Sequence, residues 1–474
     1  MRIILADLPA KESYYHAVFP NLGLLYLAAS LRQRFGPGCQ VLFIDPHRSL
    51  RDHLTAVAGF KPDLYGVSFA YFTKSLAYKV IDQVKAKFPG LPVMCGGPQP
   101  SAAPRDVLRD CAADVCVRGE GEEAVCDLAE HFLTGQRTGL DKVAGIVYRD
   151  AVGAILETAK RAPIGDINRF PFPAWDLVDL SRYPGWHIHR AGPQCHVLVN
   201  RGCPFDCNYC SNPVWKYNKP WVRLRSPENI AAEVRLLADK GAREIYLSGD
   251  ELNVNPAWAL EVCRAIEGLR LGRVFFNCNL RPDNMTAGLA RAFRRINLWV
   301  GHVGIESGNQ RTLDGVGKKV KLEEIVETCR ILKSEGVKVF GFVMLFHAWE
   351  EDGRLCFENL DDVEGTLDFC RQLFKKKLLD YISWQVATPM PGSRLWETAV
   401  RHNLLPGHEI KGVFEPNLAL PGIRGSDIRR AVRQGLWLKN YYLVRNGNIS
   451  FRHPRAVWAN LKVMLGLGPP RGAY

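Results

Sequence analysis

The sequence predicts an α/β chain with two parallel sheets, the first doubly wound and the second a partial (β/α)6 barrel, followed by a helical C-terminal region. Three observations carry this reading. Short apolar runs alternate with helical periodicity from residue 2 to about 135, and the same alternation resumes at 195 and runs to about 400. Between them the chain changes character, with Pro and aromatic residues interleaved in "INRFPFPAWDLVDLSRYPGWHIHRAG". The boundaries that follow are 1–140 for a Rossmann-like sheet domain, 141–194 for a connector strap, 195–400 for the barrel and 401–474 for the helical tail.

Taken in order, the first strands are "RIILADL", "CQVLFID", "DLYGVSF", "LPVMCGG" and "ADVCVRG". Helical patterns such as "LGLLYLAASLRQRF", "SLRDHLTAVAGF" and "SLAYKVIDQVKAKF" separate them, which gives a parallel, flavodoxin-like sheet. Ligands of such sheets bind at the carboxyl ends of the strands. There the fourth strand runs into Gly96-Gly97-Pro98, and the fifth into Gly119-Glu120-Gly121-Glu122. Glycines at these positions allow either a tight turn or the close approach of a bulky ligand. The strap opens with a hairpin-like piece, "GIVYRDAVGAIL", and is ordered rather than a flexible linker. The second series is "CHVLVNR", "EIYLSGD", "RVFFNCN", "LWVGHVGIE", "VKVFGFVML" and "YISWQVATP". Six such units build an open TIM-type barrel whose chemistry lies at the C-terminal ends of its strands.

Composition narrows the function classes. The 474 residues suit two or three domains, and 47% hydrophobic residues suffice for sizeable cores. No apolar run reaches about 18 residues, which argues against a transmembrane helix. "MRIILADLP" reads as a first strand without the apolar core of a signal peptide, so a cytoplasmic location is expected. The net charge of +13 is scattered, with a concentration after about residue 420. Nucleic acid is not the expected partner, because no RNA-binding motif, zinc finger or arginine-rich arm accompanies that charge. Most of the 14 cysteines stand singly in apolar runs, as Cys95, Cys116, Cys263 and Cys278 do, and read as small buried hydrophobes.

One group is different. "RGCPFDCNYC" places Cys203, Cys207 and Cys210 in one loop just after the first barrel strand. Thiolates so close together suit a soft metal or an iron–sulfur cluster. Three ligands leave one iron of a 4Fe–4S cluster open for a small molecule. Zinc, with Cys195 as fourth ligand, is disfavoured because Cys195 starts the strand and lies at its far end.

The C-x3-C-x2-C spacing resembles the radical S-adenosylmethionine superfamily. Tyr209, an aromatic before the last cysteine, is typical of it. "VGIESG", which contains Glu306, resembles the fourth-strand segment of the superfamily's cobalamin-binding branch. "TPMPGSRLW" resembles that branch's sixth-strand pattern, with Ser393 in place of Thr. The strap "FPFPAWDLVDLSRYPG" and the N-terminal segments "PNLGLLYLAASLR", "GGPQPSAAP" and "VRGEGEEAV" are similar to that branch as well. The likeness covers nearly the whole chain.

The resemblance implies three cofactors: a 4Fe–4S cluster, S-adenosylmethionine and cobalamin. It implies reductive cleavage of S-adenosylmethionine to a 5′-deoxyadenosyl radical, with electrons from a donor such as flavodoxin or ferredoxin. It implies methylation of an unactivated carbon of a small-molecule, natural-product or lipid substrate. A cyclase or oxidoreductase of the same build, like the tetrapyrrole cyclases, is the alternative, and the residues leave both open. Cys203, Cys207 and Cys210 are implied as cluster ligands. Glu306, Asp250 and Asn279, with Tyr209 beside the cluster and Arg281 more weakly, are implied around S-adenosylmethionine. Ser68, Gly96, Gly97, Pro98, Glu120 and Gly121 are implied around cobalamin, in a sheet domain facing the barrel mouth.

Three departures from the family pattern stand out. Gly249-Asp250 replaces two adjacent aspartates, "GFVMLFHAWEE" lacks the usual glycine-proline ending, and Asp45-Pro46-His47 imitates a cobalt-ligating motif after the wrong strand and without its glycine. No histidine ligand to cobalt is expected from that motif. His16, His187 and His189 near the expected mouth are read as surface or structural. The basic, apolar segment "FRHPRAVWANLKVMLGLG" is read as a docked terminal helix, with weak contact to an anionic membrane as the other reading.

Overall fold

The computed structural model describes residues 1–9, 18–133, 139–183, 185–186, 188–216, 219–407, 410 and 412–448. The chain divides into two compact units, residues 1–184 with 214–223, and residues 185–213 with 224–474.

The first unit is a seven-stranded sheet ordered β2-β1-β3-β4-β5-β6-β7. Its parallel strands are β1 (Arg2–Ala6), β2 (Gln40–Ile44), β3 (Leu64–Ser68), β4 (Val93–Gly96) and β5 (Val115–Val117). The order 2-1-3-4-5 is the flavodoxin-like one that the strand–helix alternation predicts. Helices α1 (Leu22–Phe35), α2 (Leu50–Phe60), α3 (Lys74–Lys87), α4 (Pro98–Ala102), α5 (Pro104–Asp110) and α6 (Glu122–Leu133) connect these strands and follow the last. Local chemistry starts several of them. Asn21 caps α1 by accepting from Leu24 N, and Ser49 and Asp52 form a capping box on α2. Ile4, Tyr65, Val67, Val80, Ile81, Val84 and Val93 are among the core side chains between sheet and helices. The sequence placed the hairpin in the strap, whereas the structure puts it in the sheet. Strands β6 (Ile146–Arg149) and β7 (Ile155–Glu157) extend β5 antiparallel, so they satisfy the hydrogen bonds that β5 would otherwise expose.

The second unit holds the six predicted strands, ordered β17-β14-β13-β12-β11-β8. They are β8 (Gln194–Leu198), β11 (Glu244–Ser248), β12 (Phe275–Leu280), β13 (Leu298–Glu306), β14 (Lys338–Leu345) and β17 (Tyr381–Val386). All neighbours pair parallel. Two-residue strands β9 (Asn200–Arg201) and β10 (Arg223–Leu224) precede α7 (Pro227–Asp239). Then come α8 (Pro256–Gly268), α9 (Ala287–Arg295), α10 (Gln310–Gly315) and α11 (Leu322–Ser334). A hairpin that the sequence reading did not separate, β15 (Ala348–Glu351) with β16 (Arg354–Phe357), follows β14. Helices α12 (Leu360–Lys375), α13 (Arg394–Arg401) and α14 (Gly425–Arg445) complete the described residues. Pro227 and Pro256 occupy first turns, where a missing N–H costs nothing, behind the caps Ser226 and Asn255.

Alternation along the strands builds both surfaces of the barrel. Ile245, Leu247, Phe276, Cys278, Val339 and Val343 are fully or almost fully buried. The positions between them turn inward, where rings from different strands meet. His302 on β13 stacks on Trp186 at 4.8 Å and lies 5.7 Å from Tyr246 of β11 and 5.3 Å from Phe340 of β14. These rings form an aromatic floor. Beyond the floor, Leu198, Ser248, Asn279, Phe342 and Gln385 stay partly exposed, which marks an open lumen. Among the described residues no helix is long and apolar enough to cross a membrane.

One ion pair sits wholly inside the second unit. Arg225 donates to Glu233 at 2.5 Å, to Leu198 O at 2.7 Å and to Asn229 at 2.7 Å, and Glu233 is fully buried. Arg225→Met therefore strands a buried carboxylate and lowers unfolding stability by about 3–5 kcal/mol, while R225M/E233L restores most of it. Urea unfolding of the three chains measures the difference.

Candidate functional site

The cysteine loop follows β8 and is pinned from three sides. Asn208 N donates to Val316 O at 2.8 Å, Asn208 Nδ2 donates to Ala348 O at 2.8 Å, and Leu395 N donates to Asn208 O at 2.8 Å. Gly317, at φ +72°, lets the chain pass beneath Asp206, whose carbonyl would lie 3.2 Å from a Cβ there. Inside this frame Cys207 is buried, and Cys203 and Cys210 are partly exposed. Burial, reinforced by the nearby Glu251 carboxylate, pushes the Cys203 thiol up to about 12. A thiolate there needs a positive centre beside it.

Among the described residues no three His, Cys, Asp or Glu side chains converge where one metal ion could sit. Cys195 is fully buried near the start of β8, away from the loop. A polynuclear cluster makes a different demand, since each thiolate meets its own iron and the sulfurs need not meet at one point.

The strand ends around the loop carry buried charge. Glu306 ends β13 at φ +64°, a left-handed conformation that side chains other than glycine rarely adopt. Its Oε1 lies 3.3 Å from Lys318 Nζ, and both side chains are buried. Gly304 makes room, because a Cβ there would stand 2.7 Å from Glu306 Oε1 and 2.8 Å from Lys318 Nζ. The Lys318 carbonyl accepts from Arg281, which has no exposed surface. Arg281 also pairs with Asp283 and lies 3.5 Å over the ring of Phe205 in the cysteine loop. Burial pushes Glu251 up to about 7, with Lys318 and Arg281 opposing.

Several polar atoms in this region are buried without a protein partner: Glu251 Oε2, Arg281 Nη1, Asn200 Oδ1 and Asn279 Oδ1. Unmatched buried donors and acceptors at strand ends suit a small ligand bearing both charges. Asp250 is held toward the loop by a hydrogen bond from Asn212 Nδ2. Burial raises the Tyr209 hydroxyl well above its usual value, and its ring lies 5.5 Å from His347. The glycine of Gly249-Asp250 has a steric cause, because a Cβ at 249 would fall 1.8 Å from Asn200 Oδ1. Where glycine-proline was expected, Phe346 turns at φ +64°, and Glu358 clamps two strand exits by accepting from His347 N at 3.0 Å and Ser307 Oγ at 2.8 Å. Ser393 replaces threonine without loss of its cap, since its Oγ accepts from Trp396 N at 3.1 Å. Sequence reasoning missed Glu251, Lys318, Asn200 and Phe205. Glu251 and Asn200 flank recognised motifs, whereas nothing in the sequence ties Lys318 to Glu306.

In the first unit, Ser68, Gly96, Gly97 and Pro98 stand at the ends of β3 and β4. Gly97, at φ +97°, lies so close to Phe69 O and Ser68 Oγ that a Cβ would fall 2.8 Å from each. Gly121 packs on Leu27. Glu120 has protein partners of its own. Its carboxylate accepts from Arg223 at 2.7 and 2.8 Å and from Ile164 N at 3.1 Å, so it anchors the strap. Ser68, Gly96 and Gly97 are partly exposed and Pro98 is exposed. His47 packs edge-on against Tyr183 at 5.2 Å, and His189 Nδ1 lies 2.6 Å from Trp186 O. His16, His187 and the segment 451–468 lie outside the described residues.

Known proteins match both halves of this picture. The profile described as the Radical SAM superfamily matches residues 197–355, and that described as the B12 binding domain matches residues 14–129. An uncharacterized methyltransferase of Pyrococcus horikoshii is 28% identical over 85% of this chain and 84% of its own length. The anaerobic magnesium-protoporphyrin IX monomethyl ester cyclase of Rubrivivax gelatinosus is 25% identical over 80% of this chain and 66% of its own. The solved cobalamin-dependent S-adenosylmethionine radical enzyme OxsB with aqua-cobalamin bound shares the fold, with a TM-score of 0.74 at 17% identity over 97% of this chain and 71% of that one.

Two measurements test the geometry itself. Gly249→Ala drives a Cβ into Asn200 and destabilises by about 1–3 kcal/mol, and Asn200→Ala in the same chain reverses this, read as thermal midpoints. Burial holds His302 down to about 3. Between pH 6.5 and about 3 the unfolded chain protonates this histidine while the folded chain does not. Stability therefore falls with falling pH by about 1.4 kcal/mol per unit from this site, and His302→Phe removes that share from the acid unfolding profile.

Proposed function

Because the chain belongs to the cobalamin-binding branch of the radical S-adenosylmethionine superfamily, we propose that it methylates an unactivated carbon of a small-molecule substrate. The single observation that carries the reading is the pinned Cys203–Cys207–Cys210 loop beside buried, unmatched polar atoms on the neighbouring strand ends. Cys203, Cys207 and Cys210 would hold the 4Fe–4S cluster, which would leave one iron for a ligand with an amino and a carboxylate group. When bound, the cluster supplies one electron that cleaves S-adenosylmethionine to a 5′-deoxyadenosyl radical, and the corrinoid carries the methyl group.

The chain's own residues orient and shield. Arg281 offers Nη1, a buried cationic donor suited to a carboxylate, and Asp250 and Glu251 offer acceptors suited to an ammonium. Glu306 would accept from the ribose hydroxyls or the amino group, held in place by Lys318. Asn279 Oδ1 adds a further buried acceptor at the end of β12. The aromatic floor would exclude water beneath a bound substrate. Ser68, Gly96, Gly97, Pro98 and Gly121 would border cobalamin, with Glu120 acting through the strap. Flavodoxin or ferredoxin is the class of electron donor this chemistry needs.

A second reading, radical cyclisation, is supported by the match to the magnesium-protoporphyrin ester cyclase. The two readings differ in their products. Anaerobically reconstituted protein given cobalamin, S-adenosylmethionine and a low-potential reductant is expected to form both S-adenosylhomocysteine and 5′-deoxyadenosine, quantified by mass spectrometry. Deoxyadenosine alone moves the assignment to the cyclase, and neither product in an iron-loaded protein sinks both. Cys207→Ala abolishes deoxyadenosine formation. Glu306→Gln raises the KM for S-adenosylmethionine about 10- to 100-fold, the effect of one charge-assisted hydrogen bond.

A further inference from the structure

Helix α14 lies along β17, at one free end of the six-stranded sheet. Its Leu443 packs against the cluster of Trp299, Val300, Phe340 and Tyr381. Lys439 and Asn440 precede Leu443 by four and three residues, so all three share one flank of the helix. That flank is apolar at Leu443 and polar one turn earlier. Lys439 and Asn440 are each only 5% exposed, whereas Arg433 of the same helix is exposed.

Neither buried residue finds a partner among the described residues. Among the described residues Lys439 makes no hydrogen bond or ion pair, and Asn440 Nδ2 is buried without an acceptor. Burying an ammonium alone is costly, and natural chains pair such a charge. Burial pulls Lys439 down to about 8, with no carboxylate opposing it. Phe374 and Tyr442, which stack at 4.9 Å between α12 and α14, supply packing but no acceptor. Two adjacent donors with no acceptor, beside an aromatic chamber, describe half of a binding site. The missing half carries oxygen and negative charge.

We propose that Lys439 and Asn440 bind an anionic oxygen group of the substrate, a carboxylate or a phosphate, whose apolar body lies over the aromatic floor. The proposal rests on the reading of the barrel lumen as the substrate chamber. It makes the substrate an amphiphilic acid rather than a neutral hydrocarbon, and it makes α14 the element that selects it.

The test uses the anaerobically reconstituted holoenzyme and three probes of equal chain length, decanoate, decyl phosphate and decanol. Decanoate or decyl phosphate is expected to raise the thermal midpoint by about 5 °C at a hundredfold excess over half-saturation. Decanol is expected to leave it unchanged, and the two anions ranked against each other tell carboxylate from phosphate. Lys439→Met loses the shift, Asn440→Leu weakens the anion about tenfold, and the exposed control Arg433→Met keeps it. An equal response to decanol, or a shift retained by Lys439→Met, overturns the proposal. If Lys439→Met does not fold, wild-type protein answers alone. Either anion should shield Lys439 from acetic anhydride, read by peptide mass spectrometry, and absence of shielding overturns the proposal. The assay reads binding without turnover. A chain that yields deoxyadenosine but gives no anion response loses this site and keeps the radical assignment, and the opposite pair of results does the reverse.

Discussion

The Glu306–Lys318 pair is the contact on which the upper face of the barrel depends. A carboxylate and an ammonium are held together out of water, and each would be costly there alone. Glu306 reaches Lys318 because its backbone turns left-handed at the end of β13 and because Gly304 leaves the space above the strand empty. The Lys318 backbone then fixes Arg281, and Arg281 lies on Phe205 within the cysteine loop. Two strand ends, the turn after α10 and the loop thus share one buried network. The network also explains why the loop needs no helix beneath it. Backbone hydrogen bonds at Asn208 hold its position, and the buried charges hold its polarity.

The two parallel sheets were legible because their signals are local. Runs such as "RIILADL" and "VKVFGFVML" carry the right period and length, and each is bounded by turn residues. The cysteine loop was legible for the same reason, since its spacing lies within eight residues. Glu306 was reached through its motif. Lys318 was not, because its pairing with Glu306 is decided by the turn after α10 and not by any spacing rule. Asn200 was invisible until a Cβ at position 249 had to be placed. Glu120 shows a similar limit: nothing in its motif reveals that Arg223, far along the chain, pairs with its carboxylate. The hairpin β6–β7 reads the same in a strap as in a sheet, and only pairing with β5 distinguishes them.

Burial of polar groups has two different meanings in this chain. Arg225 with Glu233 and Glu358 with Ser307 are saturated, and they fix geometry. Arg281 Nη1, Glu251 Oε2 and Asn440 Nδ2 are unsaturated, and they define where the fold itself does not complete the hydrogen bonding. The first kind is spread through the framework. Of the second kind, Arg281 and Glu251 lie at the ends of barrel strands, where a barrel of this type keeps its chemistry, and Asn440 lies on one flank of α14.

Strands β8 and β17 end the barrel sheet without pairing to each other. A closed barrel has a circumference fixed by strand number and stagger. This one does not, and α14 lies along its edge strand β17. A single substitution on that helix can therefore widen or narrow the chamber without breaking any rung of the sheet, and the cofactor face is left untouched. The route to new molecular girths in such a chain runs through side-chain volume on one helix.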